Sequence, residues 1–421
     1  MRVLIAGGGI GGLTAALELH RVGIEVDVFE SVPEIRALGV GINLLPHAVR
    51  ILSELDLLPE LRSTGIETLD LTYFNKFGQK IWTEPRGVAA GYKWPQFSIH
   101  RGELQMLLLS AVSKRLGTDR VHTNHHLKSF RETSDGKIEA HFIDRATGED
   151  RGVYEGSALI GADGIQSTVR AKLYPEEGPP KWNGLIFWRG TVIAKPFLSG
   201  RSMFMAGYPD RKFIAYPISK KVSDESDGAL ALINWNIDVR VKNASMLKQE
   251  DWNRSGNIND FLHLFETWKF DWVDVPSLIN GAKSVFEFPC VDRDPLDRWS
   301  FGRVTLLGDA AHPMYPMGSN GASQSIRDAR ALAEALKSNG DVPDALLAYD
   351  GVRRPATSQV VLSNRQSGPE RVMAIAEDRA PGGFKDIHSV IPKGELEQIA
   401  SHYKRLAGFD HERVNDGVNA L

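Results

Sequence analysis

The chain has 421 residues, too many for one hydrophobic core, and its 42% hydrophobic and 24% charged content is ordinary for a globular protein of about two domains. A net charge of -3 lacks the basic excess of a nucleic-acid binder, and the single cysteine, Cys290, excludes an intrachain disulfide or a cysteine-rich metal cluster. The chain opens inside a strand pattern that leaves no room for a signal peptide, and no apolar run reaches bilayer length, so a cytoplasmic protein without membrane attachment is expected.

"RVLIA" is a short apolar run suited to a strand buried in a parallel sheet. Gly7, Gly9 and Gly12 follow in G-x-G-x-x-G spacing. "LTAALELHRVG" then has helical periodicity and stops at Gly23, and "IEVDVFE" reads as a second strand ending at Glu30. This strand–turn–helix–strand context gives the glycines a physical meaning. Gly7 permits a tight turn, Gly9 lets the backbone approach a pyrophosphate, and Gly12 allows the helix to pack closely on the strand. Phosphates would rest on the helix N-terminus, where unpaired N–H groups and the dipole favour anions. Glu30, 18 residues beyond Gly12, can accept hydrogen bonds from an adenosine ribose. The motif predicts a bound dinucleotide without separating NAD from FAD.

Two later segments make that choice. The apolar "ALIGA" runs into Asp163-Gly164, with a helix expected from about Ser167. "RVTLL" ends at Gly308-Asp309, and a loop marked by Pro313 and Pro316 leads through "GSNGASQ", with Gly318 and Gly321, into a long helix. Asp309 at the end of a buried strand can hold a ribitol hydroxyl. The N-terminus of the following helix aims partial positive charge at the position an isoalloxazine pyrimidine edge would take.

Between these segments, residues 179–284 hold runs such as "GLIFWRGTVIA", "KFIAYPIS" and "ALALINWNI", rich in aromatic and β-branched residues, which predict a sheet. "DESDG" at 224–228 reads as a polar hairpin loop. A planar aromatic substrate needs an apolar slot with few polar anchors, and Arg189, Tyr216, Tyr315 and Met317 are the candidates for its lining. The planar fork of Arg189 suits a substrate carboxylate; the plainer reading is a surface ion pair. His125 and His126 read as neighbours on one strand, and His312 as a hydrogen-bonded structural residue. The histidines show no metal-ligating spacing, there is no G-x-S-x-G elbow, and no acid–base catalytic residue is assigned. The tail after about residue 366 predicts one amphipathic helix near 394–406, which would cover the FAD domain or mediate dimerisation.

The glycine fingerprint, the central Asp163-Gly164 and the late Gly308-Asp309, in this order, resemble the FAD-dependent aromatic hydroxylases related to para-hydroxybenzoate hydroxylase. "WPQFSIHRGELQMLLL", "VGINLLPHAV" and "VDRDPLDRWSFGRVTLLGDAAHPMYPMGSNGASQ" are similar to the branch of that family acting on phenazine carboxylates, over about residues 1–365. The resemblance implies an α/β fold: a three-layer ββα, Rossmann-like FAD-binding domain (1–75, 98–178 and 285–355) interleaved with a mixed β-sheet substrate domain (76–97 and 179–284), plus a C-terminal helical extension (356–421). It implies FAD contacts from Gly7, Gly9, Gly12, Glu30, Gly41, Arg101, Gln105, Asp163, Asp309, Pro316, Gly318 and Gly321. It further implies NADH or NADPH as a transient reductant, O2 as co-substrate, and hydroxylation of a small aromatic or heteroaromatic compound through a flavin C4a-hydroperoxide, with or without loss of a carboxyl group. A monomer or homodimer is expected. An epoxidase, halogenase or reductase of the same fold stays open as an alternative, as does a non-catalytic FAD-binding protein. The G-W-x-W-x-I-P segment of halogenases is absent.

Overall fold

A computed structural model describes residues 1–241 and 254–416. Residues 242–253 of the expected substrate domain and 417–421 of the expected extension lie outside the described residues.

The first strand, β1 (Arg2–Ala6), leads through the glycine turn into α1 (Ile10–Arg21) and β2 (Glu25–Phe29). Gly23 follows the helix with φ +82, the left-handed conformation that ends helices and favours glycine. β1 is the centre of a five-stranded parallel sheet, flanked by Ala158–Gly161 and then Val304–Leu306 on one side, and by β2 and then Val121–His122 on the other. Strands buried on both faces need no alternation, which is why "RVLIA" and "ALIGA" are continuously apolar. Helices α1, Arg101–Leu116 and Gly321–Ser338 pack together on one face, and their apolar residues share one core with the sheet. An antiparallel meander, His126–Glu132, Ile138–Ile143 and Asp150–Gly156, contributes Leu127, Ile138, Ala140 and Phe142 to the same core. These are the three layers expected from the sequence.

The second unit is a seven-stranded sheet in the order Val285–Asp292, Lys181–Ala194, Ala231–Arg240, Arg211–Pro217, Ser202–Tyr208, Asp70–Phe74, Lys80–Pro85. Successive side chains alternate between its faces. Phe74, Phe204, Phe213 and Trp235 point outward and pack beneath Phe261, Phe265 and Trp268. Tyr73, Met203, Met205, Ile214 and Tyr216 point inward, toward the C-terminal helices. Asp70–Phe74 and Val285–Asp292 pair within this sheet, whereas sequence patterning puts both on the FAD-domain side of the boundary. Strand alternation looks the same in either sheet; only pairing distinguishes them.

"DESDG" lies, as expected, in the connection between the antiparallel strands Arg211–Pro217 and Ala231–Arg240, and its first two residues end a short helical turn, Lys220–Glu225, capped by Ser219 and carrying a Lys220–Asp224 ion pair. One detail differs from expectation. His125 precedes the strand that starts at His126, and its ring packs on Phe29 and Tyr154. In the C-terminal extension, helices Arg371–Arg379 and Lys393–Leu406 lie on the inner face of the seven-stranded sheet, through Val372, Met373 and Leu396.

Candidate active site

The glycine turn shows three different needs for a missing side chain. Gly7 has φ +109, and a Cβ there would meet the Ala162 carbonyl at 2.3 Å. A Cβ on Gly12 would lie 2.0 Å from the Gly7 carbonyl oxygen, so helix and turn touch directly. A Cβ on Gly9 would meet nothing within 4 Å: it faces open space at the amino end of α1. Gly7 and Gly12 are bare for the protein's own packing, while nothing in the protein requires Gly9 to be. The need at Gly9 comes from whatever occupies that space.

Three polar side chains surround the turn. The Gly8 N–H donates to Glu30 Oε2 at 2.8 Å, and the Val32 N–H to Glu30 Oε1 at 3.0 Å, so the second strand's terminal carboxylate faces the turn. Gln105 Nε2 donates to the Gly8 carbonyl at 2.8 Å and holds the turn from the next helix. Asp163 accepts from Ser167 Oγ at 2.5 Å and from the Thr168 N–H at 2.7 Å. Its carboxylate therefore caps the helix Thr168–Leu173, and its backbone backs Gly7.

Arg101 and Asp309 differ from these in having no hydrogen-bonded or ion-paired side-chain partner among the described residues. Both expose surface to the cleft between the two units, yet protein encloses them enough to shift their ionisation. Burial lowers the Arg101 guanidinium, partly offset by Asp309, and burial raises the Asp309 carboxyl. A lone cation and a lone carboxylate facing the same cleft fit a ligand with phosphates at one point and hydroxyls at another. Together with the open face of Gly9, they fit FAD.

The loop after Asp309 is built to face such a ligand. Asp328, in the helix Gly321–Ser338, accepts from His312 Nε2 at 2.5 Å, Arg353 Nε at 2.7 Å and the Gly308 N–H at 3.1 Å. His312 is thus structural, as expected. Pro316 is exposed, and Gly318 and Ser319 both have positive φ, +76 and +53. For Ser319 that is a strained conformation, held because Tyr403 from the C-terminal helix lies against the loop. The Tyr403 hydroxyl is 3.2 Å from the Met317 carbonyl oxygen and 3.0 Å from Asn364 Oδ1. The extension covers this loop, which answers one half of the question left by the sequence. Gly321 opens the long helix, whose first N–H groups have no partner within it.

Gly41 joins the two units. In β3 (Gly41–Leu44), its N–H donates to Asn234 Oδ1 at 2.8 Å and its carbonyl accepts from the Tyr216 hydroxyl at 3.0 Å. The Tyr216 hydroxyl is thereby committed to the backbone. Tyr315 and Met317 are buried with Leu185, Phe187 and Cys290. Arg189 is not in a surface ion pair: it lies half-buried over the Phe187 and Phe288 rings, its Nε without a partner.

A cavity that sequence patterning does not reveal lies between the 318–319 loop and the inner face of the seven-stranded sheet. Leu45, Leu71, Met203 and Met205 give it apolar lining, Gly318 and Ser319 contribute the loop, and Tyr73, Glu84, Arg86 and Gln96 are its polar lining. Tyr403, Lys404 and Phe409 close it from the C-terminal side. These residues come from seven separate stretches of the chain, so no local motif could have announced them.

A profile of the FAD binding domain family matches residues 1–186 and 290–364. The chain belongs to that FAD-binding family. Among curated relatives of this FAD-binding chain, the phenazine 1,6-dicarboxylic acid hydroxylase PhzS of Lysobacter antibioticus is 47% identical over 380 residues, covering 89% of this chain and 92% of the relative. The 3-hydroxybenzoate 6-hydroxylase of Polaromonas naphthalenivorans is 30% identical, with 87% of each chain covered. The solved salicylate hydroxylase substrate complex superposes with a TM-score of 0.74 at 23% identity, covering 100% of this chain and 98% of that one. At that identity the likeness speaks for the fold. No helix among the described residues is long and apolar enough to cross a membrane.

Proposed function

We propose that this chain hydroxylates a flat, fused heteroaromatic acid of the phenazine-carboxylate type. It is an FAD-dependent aromatic monooxygenase, consuming NAD(P)H and O2: one oxygen atom enters the ring and the other leaves as water. Bound FAD supplies the redox chemistry. Gly9 and Arg101 would receive its phosphates, Glu30 its adenosine ribose, Asp309 its ribitol, and the 316–321 loop its ring edge.

The observation that carries the substrate class is the 47% identity, over 89% of this chain, to a phenazine dicarboxylate hydroxylase. A cavity of about 20 Å³ beside that loop, space for about one water, lies among Leu71, Met203 and Met205, whose flexible side chains would part to take an aromatic ring. Loop and cavity share Gly318 and Ser319, so a ring held there lies beside the cofactor's reacting edge. The protein's own contribution is orientation and exclusion of water, with Tyr403 and Phe409 as the cover.

The test is anaerobic mixing of the FAD-loaded protein with NADH or NADPH, with and without candidate arenes, followed by product analysis in air. Phenazine carboxylates should accelerate bleaching of the flavin and yield a hydroxylated ring. If no arene accelerates bleaching and no hydroxylated product forms, this function is wrong.

A further inference from the structure

We infer that Arg86, assisted by Tyr73, anchors the substrate's carboxylate in this cavity, and so sets specificity for aromatic acids. This rests on the cavity being the substrate site.

Arg86 is only 9% exposed, yet its Nε has no hydrogen-bond partner. Its one ion-pair partner among the described residues, Glu84 Oε2, is 3.7 Å away, beyond hydrogen-bond reach. That same Glu84 oxygen lies 2.9 Å from Lys404 Nζ, so one carboxylate is shared between two cations. Burial would raise the Glu84 carboxyl, but Arg86 and Lys404 hold it below its ordinary value, so it is ionised. Lys212 is paired with both Glu370 and Asp238, so the charges balance across the group, and what Arg86 lacks is a hydrogen-bond acceptor. The Tyr73 hydroxyl, fully buried, also lacks a partner, and Gln96 lines the same cavity.

Buried donors without partners are costly, and a guanidinium more so than most. They persist where a ligand completes them. A carboxylate supplies what is missing: two acceptor oxygens matching the guanidinium fork. The apolar lining then takes the ring, beside the 318–319 loop.

The test compares binding of phenazine-1-carboxylate with that of unsubstituted phenazine to the FAD-loaded enzyme, read from perturbation of the flavin spectrum. In Arg86→Gln the Kd for the carboxylate should rise by about 50-fold or more, with that for phenazine nearly unchanged. Arg86→Lys should recover part of the loss, and Tyr73→Phe should weaken the carboxylate by about fivefold, again without affecting phenazine. FAD content and melting temperature check each variant's fold; if Arg86→Gln does not fold, Tyr73→Phe decides. Equal loss for both ligands, or no loss, overturns the anchor and leaves the monooxygenase in place. Failure of the unmutated enzyme to bind either arene overturns the anchor together with the proposed substrate.

Discussion

A Cβ placed on Gly318 would lie 2.3 Å from the Tyr403 hydroxyl, so the C-terminal helix closes over the cofactor loop only because position 318 has no side chain. Gly318→Ala would also strain the backbone, since φ is +76 there. We expect a stability loss of about 1–3 kcal/mol and a displaced Tyr403. With the cover displaced, water reaches the ring edge, and more NAD(P)H should be consumed per hydroxylated product. The measurement is that ratio beside a denaturant midpoint; an unaltered ratio would show that Tyr403 is not the cover.

Gly9 and Gly12 should fail in opposite ways. Gly12→Ala forces a carbon 2.0 Å from the Gly7 carbonyl oxygen and should destabilise the fold by about 3 kcal/mol. Gly9→Ala meets no protein atom within 4 Å, so the fold should be kept. Its FAD affinity should drop about tenfold or more, equivalent to about 1.4 kcal/mol. Apoprotein melting and FAD titration separate the two effects.

Asp309→Asn removes a carboxylate with no side-chain partner among the described residues. The apoprotein's melting temperature should hardly move, while flavin is lost on gel filtration. Arg101→Gln should behave alike, with a larger loss at high salt, where the remaining charge interactions are screened. Full flavin occupancy in the Asp309 variant would contradict the ribitol placement.

Asp328 sets an acid limit. Burial would raise its pKa, but His312 and Arg353 outweigh this and hold it at about 2. A carboxyl depressed in the folded state stabilises it fully above the unfolded pKa of about 4, and that stability disappears as pH falls toward 2. The amount is on the order of 2 kcal/mol. Urea midpoints measured across this range should fall with pH, and Asp328→Asn should flatten the slope. That variant should also lose about 3–5 kcal/mol at neutral pH, because Arg353 is left buried and unpaired.

The legibility of the sequence was uneven in an instructive way. The β1–turn–α1–β2 unit was readable because its signals are local: glycine spacing, one change of periodicity and a terminal acid all fall within 30 residues. Gln105 and Asp163 were placed at the cofactor turn by resemblance, and the structure shows each holding backbone: Gln105 the Gly8 carbonyl, Asp163 a helix N-terminus. "DESDG" was legible as part of a hairpin connection because its residues favour turns; the short helical turn that precedes it depends on Ser219 and the Lys220–Asp224 pair, which begin outside that stretch.

The amino-acid sequence by itself determined the dinucleotide turn and the parallel core, since these follow from steric needs and periodicities expressed over a few neighbouring residues; the flavin chemistry came from the resemblance of three separated motifs to a known family. Only the tertiary structure decided the substrate end of the site. Tyr73, Arg86, Met203, Gly318 and Tyr403 are far apart in the chain, and each alone resembles an ordinary core or loop residue. Their meaning appears when packing leaves an arginine and a tyrosine buried with unmet donors around one small space. That is a property of shape and desolvation, which no local pattern of residues encodes.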